Sequence, residues 1–119
     1  LMEEVEARLA KVIAPVLEEQ DPKKAIRKAI EIPFIIEEEE YDFWRLQFML
    51  KWQKEYNDPE KTRPLLDKLT MCFSILRYGN PGREAEILNY IIEGVSAEIL
   101  KGNVYRSTPL RAFLFERYE

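Results

Sequence analysis

Apolar residues along this 119-residue chain recur at intervals of three and four, the repeat of one helix face, and no segment alternates as a strand would. Val5, Leu9, Val12, Ile13, Val16 and Leu17 form the first stripe and predict a helix over most of residues 2–19. Pro15 lies inside that helix without interrupting the pattern. A kink is expected there, because proline removes one backbone hydrogen bond and pushes away the carbonyl four residues back. Asp21-Pro22 reads as an N-cap followed by proline at the first helical position. The helix it starts carries Ala25, Ile26, Ala29, Ile30, Pro33 and Phe34, so it too is expected to run kinked through a proline, ending in the acidic run Glu37–Glu40.

The third helix, YDFWRLQFMLKWQKEY, has two apolar stripes: Tyr41, Trp44, Phe48 and Trp52 on one, Phe43, Leu46 and Leu50 on the other. A helix apolar on most sides is expected at the centre of a bundle. Asn57-Asp58-Pro59 ends it and opens a fourth, whose stripe is Leu65, Leu66, Leu69, Cys72, Phe73 and Leu76, closed by Arg77 and Tyr78 before the turn Gly79-Asn80-Pro81-Gly82. The fifth, AEILNYIIEGVSAEILKG, is stopped by Gly102, and Thr108-Pro109 caps a short sixth, LRAFLFERYE. The class is all-α, a single-domain bundle of about six helices over residues 1–119. Gly94, in the middle of the fifth helix, costs roughly 1 kcal/mol relative to alanine, so its missing side chain should serve a contact.

Composition narrows the function classes. With 18 basic and 22 acidic side chains the net charge is −4, and Lys and Arg form no stripe able to track a phosphate backbone. Nucleic acid is not expected to bind this chain directly. The lone cysteine, Cys72, excludes an internal disulfide framework and suits a reducing compartment. No signal peptide or long apolar span is present, so no membrane role and a cytoplasmic location are expected. Leu1 and Met2 already belong to a helical pattern, as in a fragment cut from something longer.

The chain has no histidine, which removes the commonest general base, the Ser-His and Cys-His pairs and the Glu-x-x-His di-iron motifs. Cys72 lies on an apolar stripe, where a thiol usually acts as a small hydrophobe. Gly79 and Gly82 lack the lysine and strand of a phosphate loop. The run Glu37–Glu40 suggests a hard cation, but consecutive helical residues do not converge, and carboxylates ahead of a helix favour its positive end. No catalytic residue, metal or cofactor is assigned, and an enzyme is not expected. Aromatic stripes at helical spacing are more often plain core than a ligand box. Two kinked helices leave space between them, however, and the third helix has more aromatic surface than one neighbour covers. An apolar pocket beside Phe34, Phe43, Trp44, Phe48 and Met71, with Arg45, Gln47 and Tyr90 as polar contacts, is the candidate ligand site.

In order of elements the chain resembles the C-terminal domain of the tetracycline-repressor (TetR) family of bacterial transcriptional regulators. The local patterns are DPKKAIRKAI as a capped helix after a linker helix, YDFWRLQFML as the aromatic central helix, and EAEILNYIIEGVSAEIL followed by TPLRAFLFERYE as the closing pair. They span nearly the whole chain. The resemblance implies an effector-binding and dimerisation domain whose helix-turn-helix partner, the part that binds DNA, lies outside this chain. It also implies that the last two helices of each subunit form a homodimeric four-helix bundle. Carried onto this sequence, the interface is Ile91, Gly94, Val95, Ala97 and Ile99 with Leu110, Phe113 and Leu114, where Gly94, Ser96 and Ala97 form a low-profile patch. The alternative for Gly94 is a bulky aromatic of its own subunit. By the same resemblance, a small, largely apolar effector entering between the second and third helices would bias the first helix, with Pro15 as the point of motion. A rival reading is a helical protein-interaction module with a filled core. An enzyme working through carboxylates alone is a third reading.

Overall fold

The computed structural model describes residues 2–51, 62–102 and 108–118, with the side chains of 2–6, 48–51 and 108 left aside. Six α-helices run through these residues: α1 Met2–Glu18, α2 Pro22–Glu31, α3 Tyr41–Lys51, α4 Arg63–Ile75, α5 Pro81–Leu100 and α6 Thr108–Arg117. Among the described residues there is no strand. The all-α class read from the spacing therefore holds.

Helix ends follow local chemistry. The Asp21 carboxylate accepts from the Lys23 and Lys24 amides at 3.0 and 3.5 Å, with Pro22 in the first turn, as Asp-Pro predicts. α1 continues through Pro15, which is exposed. α2 does not continue through Pro33. It stops at Glu31, the Ile32 amide still donates to the Ala29 carbonyl, and Ile32–Ile35 form a 3₁₀ turn. Proline has no N–H to extend the ladder and its ring crowds the carbonyl four residues back, so the expected kinked second helix becomes a shorter α-helix and a separate turn. Glu38–Glu40 form a second 3₁₀ turn leading into α3. The expected boundary at Asn57-Asp58-Pro59 lies outside the described residues.

α4 ends in a Schellman motif. The Tyr78 amide donates to the Phe73 carbonyl and the Arg77 amide to that of Ser74, both at 3.0 Å, while Arg77 takes φ of 65°. The apolar contact that accompanies this motif is the Tyr78 ring on the Phe73 ring, 4.8 Å between centroids. Asn80 caps α5 by accepting from the Arg83 amide at 3.3 Å. Gly102, at φ 94°, ends α5 as its sequence position predicts.

One buried cluster draws on α1 (Ile13, Val16), α2 (Ala25, Ile26, Ala29, Ile30), α4 (Leu65, Leu69, Cys72, Phe73), α5 (Ala85, Leu88, Ile92) and α6 (Leu114, Tyr118). The broadest helix pairing is α4 with α5, and α6 packs chiefly on α2. Arg111 of α6 donates to Glu31 of α2 at 2.7 Å through Nε, and the Arg27 and Arg111 guanidiniums both lie against the Phe115 ring, at 5.1 and 4.8 Å.

The position of α3 departs from expectation. None of its described side chains is fully buried, Leu46 is 43 % exposed, and the helix packs against α5 and the preceding 3₁₀ turn rather than occupying the centre. The apolar faces of α1, α2, α4 and α5 turn to one another, and Leu114 and Tyr118 of α6 complete the core they form. A helix apolar on several sides then has no single face to commit, and α3 lies at the margin.

Candidate functional site

The residues expected to bind a ligand fall into two sets. Phe43 and Trp44 meet edge to face on α3, centroids 5.0 Å apart at 80°. The Arg8 guanidinium of α1 lies 4.1 Å from the centre of the Phe43 ring, a cation–π contact bridging α1 and α3. Trp44 Nε1 donates to Glu40 at 3.0 Å, so this carboxylate of the acidic run serves its own helix start. Arg45 Nε donates to the Leu100 carbonyl at the end of α5, while its Nη1 pairs with Asp42 at 2.8 Å and its guanidinium sits 5.7 Å from the Tyr41 ring. Arg45 is thus a strut between α3 and the last turn of α5, satisfying a carbonyl that helix geometry leaves open. Gln47 is half-buried on the same helix, and the Phe48 side chain lies outside the description.

Phe34, in the 3₁₀ turn, packs half-buried against the core. Met71 and Tyr90 do not face an interior cleft, contrary to expectation: they are 49 % and 65 % exposed. Each stands two residues from buried neighbours on both sides, Leu69 and Phe73 around Met71, Leu88 and Ile92 around Tyr90. Two residues are about 200° of helix rotation, so both must point outward.

The expected dimer residues divide in the same way. Gly94 is exposed, and a Cβ built on it meets nothing within 4 Å. Among the described residues, no aromatic of its own subunit fills that notch. Phe113 is 60 % exposed, Val95 and Ala97 are half-buried, and Ile91 and Leu110 are half-buried against the core. Ile99 and Leu114 are buried inside the subunit at 2 % and 4 % exposure, and so are not offered to a partner. Sequence reasoning overlooked Ile87, 38 % exposed on the outer side of α5. Its signal was available: Ile87, Tyr90, Gly94 and Ala97 are spaced three, four and three, a second stripe opposite the core stripe.

Among the described residues no three acidic or cysteine side chains gather as a metal site, and no helix is long and apolar enough to cross a membrane. Burial pushes the Cys72 thiol pKa up, with Lys68 opposing weakly, so the sulfur is held as an unreactive thiol. The chain matches no protein-family model, no curated protein and no solved structure.

Proposed function

We propose that this chain is the ligand-sensing and dimerisation domain of a TetR-family bacterial transcriptional regulator. In this reading it is not an enzyme. It controls DNA binding by a helix-turn-helix domain outside this chain, in response to a small, largely apolar effector. The observation that carries the reading is the stack of Arg8 on Phe43, with Trp44 at the edge of that ring. It ties the margin helix α3, whose aromatic surface the core leaves free, to α1, the helix that would lead to the DNA-binding domain. A flat apolar molecule seated against Phe43 and Trp44 competes with the Arg8 guanidinium for the ring face. α1 then responds by the difference between the ligand's affinities for its two arrangements, and by no more than that.

A homodimer belongs to this reading, because two DNA-binding domains must reach successive major grooves about one turn apart. A four-helix bundle of α5 and α6 has less support than α5 alone, since α6 lies on α2 and Leu114 is committed to the core. A second reading, a helical protein-interaction module without a small-molecule ligand, is favoured by Met71 and Ile75, 49 % and 58 % exposed one turn apart on α4.

The test is a titration of the chain with apolar dyes and a small-molecule library, read by tryptophan fluorescence. Quenching that disappears in Trp44→Phe and weakens in Phe43→Ala is expected. No response across the set counts against the sensor and moves the interaction module to first place. In the full-length protein, Pro15→Ala should alter induction more than dimer stability.

A further inference from the structure

Two buried aliphatic residues, Ile99 and Leu100, stand apart from the core cluster, whose last member on α5 is Ile92. Ser96, one turn before Leu100 and on the same side of the helix, is buried as well. The end of α5 is thus covered by something other than the main core. α3 packs on α5, and Arg45 ties it to this end by donating from Nε to the Leu100 carbonyl.

α3 and the 3₁₀ turn before it are joined as one piece. The Glu40 amide donates to the Glu37 carbonyl at 2.9 Å, the Tyr41 amide donates to that of Glu38, and Trp44 Nε1 reaches back to the Glu40 carboxylate. The turn buries nothing, and the inward line of α3, Phe43, Trp44 and Gln47, is half-buried. Ahead of this piece stand Ile36 and Glu37, both extended, with φ and ψ of −64° and 123°, then −82° and 146°. Ahead of those is the first 3₁₀ turn, anchored by buried Ile32 and Pro33. A fixed base, two extended residues and a shallowly packed helical piece therefore follow in order. Two arginines fasten the piece: Arg8 of α1 over the Phe43 ring, and Arg45 on the end of α5. Arg8 is half-buried and Arg45 exposed, so water can take the place of either, whereas the deeply buried contacts of α2, α4 and α5 open only with the fold as a whole.

We propose that Glu38–Glu40 and α3 form a lid that swings about Ile36 and Glu37, latched by Arg8 and Arg45, and that its opening uncovers Ser96, Ile99 and Leu100 while the core stays closed. The lid works with or without a ligand, so it stands apart from the sensor reading. Within that reading, opening is how a flat molecule reaches the inward side of Phe43 and Trp44.

Thiol labelling of the folded chain tests the lid, because the chain carries its own reference in Cys72, buried inside the core cluster. Ser96→Cys sets a nearly isosteric thiol beneath the lid. Under native conditions that thiol should react with dithionitrobenzoate at least about tenfold faster than Cys72. Added to this variant, Arg45→Met keeps the apolar stem, removes the donor and should speed the new thiol about fivefold while leaving Cys72 unchanged. Glu37→Pro, at a φ close to the one proline fixes, should slow it. Far-UV circular dichroism checks that each variant is folded. Equal rates at the two thiols overturn the lid, and so does an Arg45→Met variant that speeds both alike. A Glu37→Pro variant that labels as fast as its parent overturns the hinge.

Discussion

Phe73 is the side chain on which the subunit's stability should depend most heavily. It is fully buried on α4, with the Tyr78 ring 4.8 Å away and the Tyr118 ring 5.6 Å away, so it joins α4, the turn before α5 and the end of α6. Removing a buried phenylalanine ring costs about 3–5 kcal/mol, and each well-placed aromatic pair adds about 0.5–1.5 kcal/mol beyond area burial. With two such pairs, Phe73→Ala should therefore lose about 4–8 kcal/mol. A chain of this length has roughly 6–18 kcal/mol in total, so the variant sits near the threshold of folding. Its melting temperature should drop by roughly 15 °C or more. Urea unfolding read by circular dichroism gives the number, with an unchanged slope against urea showing that the unfolded state is the same. Met71→Ala, two residues away and half-exposed, is the internal reference and should stay within about 0.5 kcal/mol of wild type. If the two variants cost the same, or Phe73→Ala costs under about 1.5 kcal/mol, Phe73 is not the junction that its neighbours imply.

Two further outcomes follow from local geometry and charge. Arg77 holds a left-handed conformation at φ 65°, which costs a residue with a Cβ about 1–2 kcal/mol and glycine almost nothing; Arg77→Gly should gain about 0.5–1 kcal/mol in urea unfolding after its greater unfolded freedom is subtracted, while Arg77→Ala should gain nothing, and equal effects would refute the backbone argument. Glu19 bonds Lys28 at 2.8 Å, and that hydrogen bond, helped by the Asp21 amide, holds its carboxyl below the usual range; a lowered folded pKa gives stability that is present above the unfolded pKa and lost as pH falls through the folded one, so stability from pH 6 down to about 3 should decline less steeply in Glu19→Gln than in wild type.

The sequence carried the helices well because their signals are local. Asp21-Pro22 and Gly102 begin and end helices through bonds to residues two to four away, and the core stripes of α1, α2, α4 and α5 each name one buried face, whereas Asn80-Pro81, expected in a turn, caps α5, which starts at Pro81, four residues ahead of Ala85. Pro33 is ambiguous in sequence, because a proline in register with an apolar stripe can kink a helix or end it, and the stripe survives either way. The candidate site was less legible. Met71 and Tyr90 suit a pocket by their chemistry, although their offset from Leu69, Phe73, Leu88 and Ile92 places them outside. That α3 would sit at the margin, and that α6 would turn to α2 rather than α5, are competitions between faces, which no window of sequence contains.

The bond from Arg111 to Glu31 joins residues eighty positions apart, and with Leu114 and Tyr118 it makes the last helix the lid of a core begun by the second. During vectorial synthesis this order has a cost. α1, α2, α4 and α5 leave the ribosome with one side of their shared core still wet, and the Phe73 ring waits for Tyr118 until α6 has cleared the exit tunnel. A nascent chain halted before Thr108 leaves that apolar surface in water until α6 follows.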